Sequence, residues 1–357
     1  MSLLTIWGAR ENFGMSKFVM QIAMTVLGLL CMLFIINIDY RQFVDKFCFV
    51  LFIVSAALLV ITLIFGISGI NNDTANRSWL TIIKIGSRSF MIQPSEFVKV
   101  ALIITFSKHL SLVRDEINRP KTLLFLGIHA GIIVGLILLS GDLGVALVYI
   151  GIIAIMLLFA GLSPWYFVGA IALALIAFPF IWPHLAQYQQ ERILVGFNPE
   201  LDPTGKGWQP LLSRNAIIAG GIFGRGINGG TFYEDLPASH TDFIFATYCE
   251  KFGFFGGLLM IITLVVLVLR ILMIAKGCRK DYGMLICIGV AAMFIVQSVE
   301  NLGMCLAMLP VIGITLPFMS AGGSSMLALY LAVGFVHSIA SYEKRYAFEG
   351  KGKIRVR

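Results

Sequence analysis

The sequence predicts an all-α polytopic membrane protein, a helical bundle with about nine transmembrane helices. The first reason is composition: 58% of the 357 residues are hydrophobic and 13% are charged, whereas an ordinary soluble domain is about a quarter charged. The second is that apolar residues form runs of about 20, the length that crosses a bilayer core of about 30 Å. The third is one long polar segment at 186–253, between the spans near 185 and 254.

Nine apolar stretches account for the predicted spans. The third is short and carries Lys99 and Lys108 near its ends, so we expect it to tilt or to extend its lysine side chains towards the interface. The stretches lie at about 18–38, 47–67, 97–113, 123–141, 143–162, 166–185, 254–275, 284–309 and 325–342.

Basic residues predict the orientation of the chain. Lys and Arg near the ends of spans are retained in the cytoplasm, and here they collect in alternate connections and in a basic cytoplasmic tail at 343–357. The N-terminus and 186–253, a large extracytoplasmic loop, therefore lie on the opposite side. The net charge of +8 is spread over these segments, so it does not indicate a nucleic-acid surface. The basic residues of the connections are Arg41, Lys46, Arg114, Arg119, Lys121, Lys276, Arg279 and Lys280.

A charged pair follows a proline at the start of the third span. In Gln93-Pro94-Ser95-Glu96, proline suits the first helical turn and the carboxylate suits the positive end of the helix. Lys99 falls one turn after Glu96, so one interpretation is a structural i,i+3 ion pair. Because ionisable residues at membrane depth are expensive, the alternative is that the pair lines a functional polar cavity.

A cation and an aromatic ring stand together in the predicted outer loop at 68–96, in Asn76-Arg77-Ser78-Trp79. A guanidinium pairs with phosphate oxygens, and an indole ring stacks on the apolar face of a sugar. Arg77 and Trp79 are therefore candidates for contacts to a sugar phosphate. The alternative is a tryptophan anchor at the membrane interface beside an unrelated arginine.

Asp242 is the candidate catalytic residue. It lies between His240 and the apolar run Phe243-Ile244-Phe245, just before the seventh span, which predicts a position at the boundary between water and hydrocarbon. Burial there raises an aspartate pKa from about 3.9 towards values that suit a general base, whereas a nearby cation lowers it. The alternative is that Asp242 caps the following helix.

Two glycine-rich segments are further candidates. Residues 224–229 match G-x-G-x-x-G, but no preceding strand or βαβ unit accompanies them, so a turn on the outer face is favoured over a dinucleotide site. The polar segment 315–325 can present backbone N–H groups to a phosphate, with Ser324 as a candidate substrate-binding residue, or it can form a re-entrant turn.

Polar residues within or between spans should face the protein interior. Asp142 stands in a turn between two spans and Glu300-Asn301 lies within the span at 284–309; a lipid-facing Asp at the centre of a span costs about 2.5–3.5 kcal/mol. For Asn301 a structural hydrogen bond is favoured. The cysteines and histidines show no ligand spacing, so no metal site is predicted.

Four motifs together carry a resemblance to a known family. They are QPSEFVK at 93–99, GDLG at 141–144, LPASHTDFIFA at 236–246 and LPVIGITLPFMSAGGSS at 309–325, each on the predicted outer side. In this order they resemble the SEDS family of bacterial envelope polymerases, which includes RodA and FtsW. The stretch IDYRQF at 38–43 favours the RodA branch.

The resemblance implies a peptidoglycan glycosyltransferase of the bacterial cytoplasmic membrane, acting in cell elongation with its active site on the extracytoplasmic side. Such an enzyme polymerises lipid II and releases undecaprenyl diphosphate, next to a class B penicillin-binding protein that crosslinks the strand. The resemblance leaves open whether a divalent cation helps the diphosphate to leave.

The resemblance also implies roles for individual residues. Asp242 matches the essential aspartate of the family and is expected to take the proton of the acceptor hydroxyl. Glu96, Lys99, Arg77 and Trp79 match positions expected to bind the donor diphosphate and sugar, where cations stabilise the charge on the leaving group.

Several features depart from the family pattern. The family has ten spans, so the nine predicted here imply that the first helix is missing from this chain. Ser140-Gly141 replaces a glutamine-proline pair, Lys251 stands where a second glutamate often follows Glu250, and Ala321 replaces a common tyrosine.

Two other functions fit a polytopic chain of this kind. The first is a flippase or transporter of a lipid-linked precursor, although nearly all candidate residues lie on one side of the membrane. The second is a non-catalytic scaffold that recruits a class B penicillin-binding protein through its apolar helix faces.

Overall fold

Helices make up almost all of the regular structure. The computed structural model describes residues 1–67, 77–85, 88–184 and 187–352. Its α-helices in chain order are α1 (Ser2–Gly8), α2 (Arg10–Phe13), α3 (Met15–Ile36), α4 (Tyr40–Phe65), α5 (Pro94–Leu112), α6 (Pro120–Leu139), α7 (Leu143–Ala160), α8 (Pro164–Ile181), α9 (Gln187–Phe197), α10 (Trp208–Gly220), α11 (Phe232–Asp235), α12 (Ile244–Lys276), α13 (Asp281–Cys305) and α14 (Gly323–Gly352).

Seven of the described helices are long and apolar enough to cross a membrane: α3, α4, α6, α7, α12, α13 and Gly323–Arg345 of α14. This confirms the prediction of an all-α multi-pass membrane protein. The other two predicted spans are also helical. However, α5 carries Glu96, Lys99 and Lys108 within 19 residues, whereas α8 is apolar over Pro164–Phe180.

Several helices begin where the sequence supplies a suitable residue. Proline opens α5, α6 and α8, because its fixed φ suits the first turn and its missing N–H would have no partner there. Asp142 caps α7 by accepting a hydrogen bond from the Val145 N–H at 3.1 Å. The turn between α6 and α7 therefore has a defined geometry around this buried carboxylate.

The chain forms two compact units, which we describe separately. The first unit comprises Met1–Ile22, Leu162–Val265 and Gln297–Gly322, and the second comprises Ala23–Gly161, Val266–Val296 and Gly323–Arg357. In the first unit, Phe243, Ile244 and Phe245 are buried in an apolar cluster with residues of α10, α12, α13 and the segment that follows α13. The apolar run after Asp242 therefore anchors that residue to a packed core.

A β-hairpin lies in the second unit, within the loop that the sequence predicted at 68–96. Strands β1 (Leu80–Ile85) and β2 (Arg88–Ile92) pair antiparallel, with an irregularity between Thr81 and Ile83. Trp79 pairs with Ile67 in an isolated bridge just before β1. Residues 68–76 and 86–87 of the predicted loop lie outside the described residues.

The predicted extracytoplasmic loop at 186–253 contains α9, α10, α11 and the beginning of α12. The helical path of α12 is interrupted at Gly253, whose φ is 67°. The predicted tail at 343–357 continues α14 as far as Gly352, and residues 353–357 lie outside the described part of the chain. A single membrane domain, with these two segments as its subdivisions, stays a prediction.

Candidate active site

Asp242 lies two residues before α12, in a backbone held by hydrogen bonds. The N–H groups of Thr241 and Phe243 both donate to the Ala238 carbonyl, at 3.0 and 3.2 Å, and Ala238 has a φ of 53°. This closed turn at 238–243, which we call the Asp242 turn, directs the chain into α12. Phe243, its last residue, is buried. Asp242 itself is half-buried.

The segment after α13 binds the backbone of this turn. The Ala321 N–H donates to the His240 carbonyl at 2.8 Å, and the Ser320 hydroxyl donates to the Thr241 carbonyl at 2.6 Å. The same Ser320 oxygen accepts a hydrogen bond from a backbone N–H within its own segment at 2.8 Å. Two consecutive carbonyls before Asp242 are therefore fixed by residues about 80 positions later in the chain.

Asn301 of α13 binds the next carbonyl. Its side-chain nitrogen Nδ2 donates to the Asp242 carbonyl and to the Ile314 carbonyl, each at 2.7 Å. Gly313, with a φ of 71°, runs beside the carboxyl group, since a Cβ at this position would lie 3.5 Å from Asp242 Oδ2. Three successive carbonyls, including that of Asp242, are thus held in place.

The electrostatic surroundings of Asp242 suit a base. Burial raises the pKa of its carboxyl to about 6, and a hydrogen bond with the Thr241 side chain opposes the rise. Burial, together with the charge of Lys17, lowers the pKa of His240 to about 4. The His240 ring is therefore neutral at pH 7, and the Asp242 carboxylate is mostly ionised at that pH while keeping appreciable proton affinity.

Glu250 and Lys251 organise the chain that precedes the Asp242 turn. The Glu250 carboxylate is fully buried and accepts the consecutive backbone N–H groups of Thr231, Phe232 and Tyr233, at 2.8–3.0 Å. Lys251, which replaces the expected glutamate, donates to three carbonyls at 3.1–3.3 Å, those of Gly8, Ile227 and Gly229. Neither role is visible in the sequence, because the partners of both side chains are main-chain atoms.

The segment that matches G-x-G-x-x-G packs on α12. A Cβ at Gly224 would lie 2.2 Å from the Lys251 carbonyl oxygen, and the N–H groups of Arg225 and Gly226 donate to the Glu250 and Lys251 carbonyls at 3.0 Å. Glycine at 224 permits this close approach of two backbones. These contacts support the turn that the sequence analysis favoured over a dinucleotide site.

In the second unit, Glu96 and Lys99 form a buried ion pair at 3.0 Å, with side chains that are 8% and 2% exposed. Asp142 lies in the same group of charges. Burial raises its pKa, the Glu96 carboxylate adds to the rise, and Lys99 and a hydrogen bond from Ser78 at 2.8 Å lower it. Two carboxylates and one ammonium group therefore share a region of low dielectric constant.

The other predicted substrate-binding residues, Ser324, Arg77 and Trp79, also lie in the second unit. The Ser324 hydroxyl accepts the Gln93 N–H at 3.0 Å and so binds the start of α5. Arg77 is exposed; its backbone N–H donates to the Ser140 carbonyl at 3.0 Å and its side chain lies 3.4 Å from the Leu63 carbonyl. Trp79 is half-buried beside β1.

The structure thus brings together Glu96 and Lys99, adds Asp142 to them and ties Ser324 to the same helix. Asp142 was predicted only to face the interior. A small polar cavity lies here, lined by Leu59, Thr62, Ser78, Ser95, Leu136, Ile137, Ser140 and Asp142. Within the described ranges, no group of three His, Cys, Asp or Glu residues is placed to hold a metal ion.

Comparison with known proteins decides the family. The family model described as "Cell cycle protein", FtsW/RodA/SpoVE, matches residues 1–345. The chain belongs to the FtsW/RodA/SpoVE family. This is the SEDS family that the four sequence motifs indicated.

Members of the FtsW/RodA/SpoVE family in several bacteria resemble this chain over most of their length. Stage V sporulation protein E of Bacillus subtilis is 36% identical over 91% of this chain and 87% of its own. The probable peptidoglycan glycosyltransferase FtsW of Trichlorobacter lovleyi is 35% identical over 93% and 85%. The peptidoglycan glycosyltransferase MrdB of Escherichia coli K12 is 31% identical over 96% and 90%.

Solved structures of the family share the fold. A chain from a peptidoglycan synthase complex, studied for the coordination of polymerization and crosslinking, superposes with a TM-score of 0.78 at 29% identity, covering 95% of both chains. Rod shape determining protein RodA of Thermus thermophilus superposes with a TM-score of 0.68 at 25% identity, covering 95% of this chain and 92% of its own.

Proposed function

We propose that this chain is a peptidoglycan glycosyltransferase that polymerises lipid II, with Asp242 as the general base. The observation that carries the proposal is the half-buried Asp242 carboxyl with its pKa raised to about 6, in a turn whose carbonyls are held by hydrogen bonds. Relatives named peptidoglycan glycosyltransferase support the reaction class.

The proposed reaction transfers a glycan from its lipid diphosphate to an acceptor sugar. Asp242 accepts the proton of the acceptor hydroxyl, whose oxygen forms a bond to the anomeric carbon of the donor. The bond between that carbon and the diphosphate oxygen breaks, and undecaprenyl diphosphate leaves with the electron pair. A base with a pKa near the working pH is both ionised and able to take a proton.

The second unit is proposed to bind the donor. Lys99 supplies a positive charge in a buried environment, where it stabilises developing charge on a diphosphate more strongly than it would in water. Arg77, Trp79, Glu96 and Ser324 are the other proposed substrate-binding residues.

The proposed setting is the extracytoplasmic side of the bacterial cytoplasmic membrane during cell elongation. The basic connections between spans support this orientation. A class B penicillin-binding protein is the proposed partner, and the similarity to a chain of a peptidoglycan synthase complex supports such an assembly.

The test is polymerisation of purified lipid II by wild type and by Asp242→Ala, each with and without the class B partner. We expect wild type to produce glycan and Asp242→Ala to produce none. Glu200→Gln is a matched control, because Glu200 is an exposed carboxylate of the same unit that pairs with Arg214, and it should retain full activity.

Three results would contradict the proposal. Equal product from wild type and Asp242→Ala would remove Asp242 from the chemistry. Movement of lipid II across vesicle membranes without its consumption would indicate a flippase. An Asp242→Ala protein that binds the partner and fully supports growth would indicate a scaffold.

A further inference from the structure

We infer that Asn301 is a positioning residue for the proposed base: its side-chain amide fixes the main chain of Asp242 and thereby the direction of the carboxylate. The inference rests on the proposed function, since it concerns the same reaction. It replaces the structural hydrogen bond favoured by the sequence analysis with a role in the chemistry, and the two interpretations predict different kinetics.

The first argument is that Asn301 uses its full donor capacity at this place. The side chain is fully buried, and an asparagine amide has two N–H hydrogens. Both hydrogens are accounted for by the carbonyls of Asp242 and Ile314, each at 2.7 Å. The Cys305 thiol lies 3.7 Å from the amide oxygen.

The second argument is that the amide can take only one orientation. If its oxygen and nitrogen exchanged places, the oxygen would face two carbonyl oxygens and could donate to neither, which leaves the Asp242 carbonyl only the weak contact with the Cys305 thiol at 3.6 Å. Each buried acceptor left without its donor costs about 1–3 kcal/mol. The contact therefore defines the direction of the Asn301 side chain as well as its position.

The two carbonyls belong to the two segments of chain that lie next to the Asp242 carboxyl. One is the carbonyl of Asp242 itself, and the other follows Gly313, which approaches Asp242 Oδ2 closely. Gly313 has a φ of 71°, a conformation in which a larger residue would be strained. Asn301 therefore holds the backbone of Asp242 and the backbone at 313–314 in a fixed relative position. Loss of Asn301 should let the Asp242 carboxylate reorient.

The experiment compares Asn301→Leu and Asn301→Asp with wild type in lipid II polymerisation. Leucine has a similar volume and no donor, and aspartate has nearly the same shape but no N–H hydrogens. Ser338→Ala is the matched control, because Ser338 is a buried side chain whose hydroxyl also donates to a distant backbone carbonyl, that of Ile38 at 2.6 Å, and both residues belong to the second unit, which does not contain Asp242.

We expect Asn301→Leu to lower kcat by about 10- to 100-fold, the loss that misplacement of a reacting group by about 1 Å can cause. The KM for lipid II should change by less than about twofold. The acidic limb of the pH–rate profile should also move, because the carboxyl would exchange its present surroundings for others. Ser338→Ala should leave kcat, KM and the acidic limb unchanged.

Asn301→Asp gives a separate test if Asn301→Leu does not yield folded protein. When ionised, the new side chain adds a negative charge beside Asp242 and should raise the pKa of the base. The acidic limb should then move to higher pH, whereas a purely structural defect would lower the rate by the same factor at every pH.

The inference is overturned if either variant, folded by gel filtration and thermal melting, retains the wild-type kcat and acidic limb. It is also overturned if activity falls only in proportion to folded protein. An inactive wild type, or an active Asp242→Ala, overturns the proposed function as well. An active, Asp242-dependent enzyme that is indifferent to Asn301 overturns this inference alone.

Discussion

Acidification from pH 7 to pH 5 should slow glycan polymerisation about tenfold. Asp242 accepts a proton only when it is ionised, and burial raises its pKa to about 6. With that pKa the ionised fraction is about 0.9 at pH 7 and about 0.09 at pH 5. An aspartate with an ordinary pKa of about 3.9 would still be about 90% ionised at pH 5, and the rate would hardly change.

The assay is the initial rate of polymerisation at low lipid II concentration, from pH 5 to pH 9. Under these conditions kcat/KM reports the pKa of the free enzyme. Ser338→Ala should reproduce the wild-type limb, and thermal melting at each pH separates loss of rate from loss of fold. A rate at pH 5 within twofold of that at pH 7, in folded protein, would refute the assignment of Asp242 as a base with a raised pKa.

Two stability predictions follow from the other buried charges. Glu250→Ala removes the acceptor of three backbone N–H groups. It should destabilise the protein by about 3 kcal/mol or more. Thermal melting checks this, with Glu250→Gln, which keeps one acceptor oxygen, as the comparison. Lys99→Met leaves the Glu96 carboxylate buried without its cation and should lower the free energy of unfolding by about 3–5 kcal/mol. Adding Glu96→Leu to the same chain should recover this loss. If that double variant polymerises lipid II normally, the ion pair serves only the structure.

The main features of the fold could be predicted from the sequence because the length and polarity of apolar runs determine membrane spans. The β-hairpin could not be predicted in this way. Residues 80–85 read Leu-Thr-Ile-Ile-Lys-Ile, and the irregularity between Thr81 and Ile83 removes the regular alternation by which a strand is recognised. Helix α5, whose 19 residues include Glu96, Lys99 and Lys108, shows that a helix position is easier to predict than its membrane character.

The candidate base could also be predicted, since an aspartate before an apolar run is visible in the sequence. The side chains that hold this aspartate in place could not be predicted, because Asn301 and Ser320 bind main-chain carbonyls far away in the chain. Ser324 shows the same limit. Its hydroxyl binds the Gln93 N–H, and no sequence pattern distinguishes this contact from one with a substrate.

The contact between Ala321 and His240 bears on which sequence changes this region tolerates. The resemblance to the family implies a tyrosine at this position, yet the group that Ala321 gives to this contact is its backbone N–H, at 2.8 Å from the His240 carbonyl. Every amino acid except proline possesses that donor. A change of side chain at 321 therefore leaves this tether to the Asp242 turn its donor, whereas proline would remove it.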